Sequence, residues 1–277
     1  MAGNEDPWVL AWLCSRGRCD IASVSNTIRE YLLKPMDSQE YIYALEFLRM
    51  YKSEVTVDKI KDLVERIFAE DVTEKLLGDT SPDNVLRYYS GNPHLAMDLL
   101  TLWEYLIIHG KIDNVSRYIL EILKRLASNI EKNYSQIKDL VEPVIHGPMI
   151  MLPMDKLLEI IRAISNYPMR GDIPLFKARV LKALIDDIPP YTILNNKVLM
   201  DNLRLMLKQL IHYLLQHIDP CDPLISVVVD EVNVFIESIW FKSVEAGENN
   251  LYKYIIGDLE NTIHRVFSKY YELTRSS

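Results

Sequence analysis

LISVVVDEVNVFIESIW, residues 224–240, decides between a mixed and an all-helical reading of this chain. Its β-branched residues favour a strand, but its period does not. Ile225, Val228, Val229, Val232, Phe235, Ile236, Ile239 and Trp240 recur at helical steps of three and four. With this segment helical, the chain reads as helix after helix. Downstream, Leu251, Ile255, Leu259, Val266 and Tyr270 define the inner face of a last helix over 251–273.

Upstream, Val115, Tyr118, Ile119, Ile122, Leu123 and Leu126 share one helix face, while Arg117, Glu121, Lys124 and Arg125 point elsewhere. Further helices are expected over 135–146, 154–166, 173–187 and 194–218. They are separated by Gly147-Pro148, Pro168, Gly171-Asp172, Pro189-Pro190 and Asp219-Pro220. In the first third, Asp6-Pro7, Asp20, Asp37-Ser38, Thr56, Ser81-Pro82 and Asn92-Pro93 are helix-start signals, with a glycine at 17 or 110 expected to close the preceding helix.

Candidate hairpins begin near residues 113, 154 and 194, a spacing of about 40 residues that matches HEAT and armadillo repeats in period alone. The expected architecture is therefore all-α: consecutive antiparallel helical hairpins forming a HEAT/armadillo-like, right-handed α-solenoid. It forms a single domain over 1–277, with GDTSPDN (78–84) as a sub-boundary. An irregular helical bundle is the alternative.

The 277 residues are 49% hydrophobic and 25% charged, enough for a large core, and the net charge of -8 opposes a globally basic nucleic-acid binder. The N-terminal MAGNEDPWVLAWLCSRG has acids where a signal peptide has a basic region, and no window reaches the length of a membrane span. Three cysteines do not make a disulfide framework, so a cytoplasmic location is expected.

Chemical motifs are sparse. Cys14-x4-Cys19 and His217-x3-Cys221 have spacings compatible with zinc, but reduced thiols are the favoured reading and no metal is assigned. His146 precedes a glycine and is expected to cap a helix C-terminus. Asp186-Asp187 reads as a solvated helix end, and there is no glycine-rich phosphate loop. No catalytic residue or cofactor is assigned, and the chain is read as a non-enzyme. Met149, Met151 and Met154 are expected in the core.

Charge is unevenly spread. Residues 111–182 carry 12 basic and 8 acidic side chains, whereas 1–110 carry 11 and 18, and 183–277 carry 8 and 13. Arg117, Lys124, Arg125, Arg162, Arg170, Lys177, Arg179 and Lys182 are the candidate binding patch. The first functional expectation is a scaffold that binds another protein. The second is a binder of nucleic-acid phosphates through this basic segment. An enzyme with an unrecognised helical pocket ranks third.

Overall fold

The computed structural model describes residues 22, 26, 29, 30, 75, 81–91, 100, 103, 104, 106–108, 110–247 and 250–276. Every regular element among them is helical, and no strand occurs among the described residues. By compactness the chain divides into Met1–Tyr118 and Ile119–Ser277.

In the first unit, α1 (Pro82–Gly91) starts at the Ser81-Pro82 signal and buries Val85. Trp103, Leu106 and Ile107 are also buried, and the Trp103 ring lies 6.3 Å from that of Tyr118. The helix starts expected at Asp6-Pro7, Asp20, Asp37-Ser38, Thr56 and Asn92-Pro93 fall outside the described residues.

Helix α2 (Ile112–Asn133) begins in the first unit and ends in the second. A 3₁₀ turn (Tyr134–Gln136), α3 (Lys138–Val144) and a π-helical turn (Ile145–Met149) follow. A single helix was expected here. Pro143 removes an amide donor within α3, and Gly147 (φ -104°, ψ -105°) departs from helical geometry before Pro148. In the adjoining apolar loop Met149 and Leu152 are buried but Met151 is exposed, so the loop is only partly core.

The next helices are α4 (Met154–Ser165), α5 (Ile173–Asp187), α6 (Pro190–Leu194), α7 (Lys197–His217), α8 (Pro223–Glu245), α9 (Asn250–Ile255) and α10 (Glu260–Ser276). The boundary expected at 194 moves because Asn196 caps α7, its side chain accepting the Leu199 amide at 2.9 Å. Asp222 caps α8 through the Leu224 amide at 2.8 Å, with Pro223 in the first turn where no amide donor is needed. The expected last helix is two helices. A Cβ at Gly257 would stand 2.4 Å from the Lys253 carbonyl oxygen, so the chain turns where a side chain does not fit.

Helix α5 lies at the centre of the second unit, with Ile173, Phe176, Val180, Leu181, Leu184 and Ile185 all buried. It packs most extensively on α8, and also on α7 and the turns flanking α3. Helix α7 contacts α4, α5, α8 and α10. Phe176 sits between two aromatic rings, 5.9 Å from Tyr134 and 6.2 Å from Tyr167.

A polar knot ties the end of α2 to the entry of α5. The Asp172 amide donates to the Glu131 carbonyl at 3.0 Å, the Asp172 carboxylate accepts the Tyr134 amide at 2.8 Å, and Arg170 pairs with Glu131 at 2.9 Å. Gly171 makes this approach possible: its φ is +51°, and a Cβ would lie 1.9 Å from the Glu131 oxygen.

Candidate binding surfaces

The eight basic candidates occupy different environments. Arg117 lies in the first unit, its guanidinium 5.4 Å from the Tyr118 ring centroid. Lys124, Arg125 and Arg162 are exposed, and Lys182 is half-buried. Arg125 is paired with Glu121 one turn away, and Arg170 with Glu131. Arg179 pairs with Glu231 of α8 at 2.9 Å across the α5–α8 contact. Local carboxylates thus accompany three of the arginines, which lowers the positive charge they present to a phosphate backbone.

Lys177 is a correction to the expected patch: it has no exposed surface. Its Nζ donates to the carbonyl oxygens of Ser165 (2.9 Å) and Tyr167 (2.8 Å) and to Gln209 Oε1 (2.8 Å). Three donors meet three acceptors, and two of those are carbonyls at or just beyond the end of α4. Lys177 therefore caps α4 from α5 and reaches α7 in the same step. Burial lowers its pKa from 10.5 to about 8, so it remains an ammonium at neutral pH. Spacing carried a signal, since Lys177 precedes Val180, Leu181 and Leu184 by three, four and seven residues, the interval of one helix face. The usual preference of lysine for solvent argues the other way.

The other surface is on α8. Ile225, Val228, Val229, Val232, Phe235 and Ile239 are buried as their spacing requires, but Trp240 is 51% exposed. It is joined by Val227 (38%), Val234 (37%), Phe241 (63%) and Val244 (54%). Asp230 and Glu237 are exposed between them. Residues 227, 230, 234, 237, 241 and 244 alternate steps of three and four, forming a second stripe on solvent-facing α8. Apolar residues hold three of these positions seven apart, acids hold the first two intervening ones, and Val244 holds the last. The Trp240 and Phe241 rings meet edge to face at 5.1 Å.

Beside the C-terminal end of α8 is an open pocket of about 540 Å³, lined by Pro189, Pro190, Tyr191, Leu194, Asn195, Glu245 and Ala246. Tyr191 is 67% exposed. Lys242 donates to the backbone carbonyls of Asp186 and Ile188. The spacing of Ile225, Val228, Val229, Val232, Phe235 and Ile239 marks the buried stripe. Its counterpart was legible as a seven-residue recurrence of Val227, Val234 and Phe241.

Of the zinc candidates, Cys14 and Cys19 lie outside the described residues. Cys221 is a free, exposed thiol, and His217 Nδ1 contacts the Tyr213 carbonyl oxygen at 2.9 Å, with the two rings stacked at 4.4 Å. No cluster of three or more metal-ligating side chains occurs among the described residues. His146 engages the Asp187 carboxylate at 2.8 Å rather than helix-end carbonyls. Among the described residues no helix is long and apolar enough to cross a membrane. Compared with protein families, curated proteins and solved structures, the chain matches none.

Proposed function

We propose that this chain is a non-enzymatic interaction scaffold built from stacked helical hairpins, and that it binds another protein through the exposed face of α8. The observation that carries this reading is the stripe of Val227, Val234, Phe241 and Val244 with Trp240 beside it. An apolar stripe of this length on a helix whose opposite face is already buried gains free energy only by covering itself, at about 25 cal/mol for each Å² removed from water. Stacking of one hairpin on the next is supported by the packing of α4 on α7 and of α5 on α8.

The test is photo-cross-linking in the native cell. A photoreactive residue at Val234 is expected to capture a protein that survives nuclease treatment, and one at Lys208, exposed on α7, to serve as the off-face comparison. No protein adduct from position 234, or equal adducts from both positions, overturns the reading. An adduct lost on nuclease treatment moves the function to nucleic acid.

A further inference from the structure

We infer that the occupant of the α8 face is a basic amphipathic helix, whose apolar residues pack on Val227, Val234 and Phe241 and whose lysines or arginines meet Asp230 and Glu237. This inference rests on the scaffold reading and specifies the chemistry of the partner.

Positions 227, 234 and 241 correspond to one seam position of a heptad, and 230, 237 and 244 to the other. From 227 to 244 the face extends about 26 Å, which a partner helix of about five turns covers. A partner crossing at the shallow angle of coiled-coil packing keeps its own heptad aligned with this stripe over that length. An ordinary apolar zipper does not fit, because it would bury Asp230 and Glu237 against aliphatic side chains without a counter-charge.

Charge then separates the possible occupants. A second copy of the chain in parallel register places Asp230 and Glu237 against their own equivalents. In antiparallel register, with the two seam positions facing one another, it sets those acids against Val227, Val234 or Phe241. Both arrangements leave carboxylates uncompensated. The cations near the face do not remedy this. Lys242 is held by two backbone carbonyls, and Arg179 is held by Glu231, at the boundary with α5. Among the described residues Glu237 accepts only the side-chain amide of Asn233 at 2.9 Å, a neutral donor on its own helix. A partner with cations at the facing positions satisfies the acids while its apolar positions cover the valines and Phe241.

The far end of the seam agrees in chemistry. Tyr191 and Glu245 both line the 540 Å³ pocket there, placing an aromatic ring and a carboxylate around one concavity. That pair suits a guanidinium or ammonium, and Glu245 stands one helical turn beyond Phe241 on α8.

The test uses two fluorescent 21-residue helical peptides with leucine at one heptad position and either lysine or glutamate at the other. A third peptide of the lysine composition has its leucines scrambled. Anisotropy titrations are run on the full chain. The lysine peptide is expected to bind at least about tenfold more tightly than both others. In the double variant Asp230→Lys/Glu237→Lys the preference is expected to pass to the glutamate peptide, and Phe241→Asp is expected to weaken the favoured peptide by about tenfold or more. Circular dichroism verifies that these surface variants keep the helical content of the parent chain. Equal affinities for the lysine and glutamate peptides, equal binding of the scrambled peptide, or an unreversed order in the double variant each overturns the inference. So does a dimer, by sedimentation, that Phe241→Asp dissociates. A nuclease-resistant cross-link from Val234 without any charge preference rejects only the basic helix, whereas absence of the cross-link rejects the scaffold reading itself.

Discussion

Replacing Lys177 with methionine keeps the length of the side chain and removes the ammonium that joins α4, α5 and α7. The Ser165 carbonyl retains a second donor, Gln209 Nε2 at 3.2 Å, but the Tyr167 carbonyl and Gln209 Oε1 lose the lysine donor they now have. A fully buried acceptor left without a partner costs about 1–3 kcal/mol, so about 2–6 kcal/mol is the upper limit for these two partly buried ones. Relief of the buried ammonium offsets part of this, so the expected net destabilisation is about 1–3 kcal/mol at neutral pH. The pH dependence follows from the lowered pKa. Between about pH 8 and 10.5 the unfolded lysine binds a proton that the folded one has released, so the contribution of Lys177 to stability rises with pH across that window. The slope for this single group approaches about 1.4 kcal/mol per pH unit. Urea-dependent hydrogen exchange over residues 154–187, measured from pH 7 to 10 on parent and variant, reads both effects on the helices concerned. A change within about 0.5 kcal/mol at neutral pH, together with parallel pH profiles, would refute the capping role.

Three further changes test the packing around this centre. The Tyr167 hydroxyl is buried with no hydrogen-bond partner among the described residues, and burial pushes its pKa up to about 12. Tyr167→Phe is therefore expected to be neutral or to stabilise by up to about 1 kcal/mol in denaturant unfolding, and a loss above that size would reveal a partner for the hydroxyl. Gly171→Ala is expected to destabilise by about 2–4 kcal/mol, because the new Cβ meets the Glu131 carbonyl and a positive φ disfavours alanine; unchanged exchange protection at the Asp172 amide would contradict this. Arg179→Ala leaves the largely buried Glu231 without its cation, so it should cost about 1–3 kcal/mol, more than the Arg179→Ala/Glu231→Ala pair. A double-mutant cycle by thermal unfolding checks the coupling, and strict additivity would remove the pair from the account.

The sequence by itself determined the helical class and much of the helix register. The buried set of α8 follows from steps of three and four, and residues 173–187 form one helix as expected. It was less decisive at interruptions. Asn196 and Gly257 divide runs whose apolar period continues across them, because a cap or a close backbone approach acts on one residue while periodicity averages over many. Tertiary structure alone decided which polar and apolar residues exchange their usual places. Lys177 is buried because the end of α4 and Gln209 of α7 converge on it with acceptors, an arrangement assembled from residues up to 44 positions apart. Trp240, Phe241 and three valines remain exposed because α5 covers the opposite side of α8 and no described helix covers this one. Local spacing fixes which side chains share a face; whether that face meets protein or water depends on contacts distant in sequence.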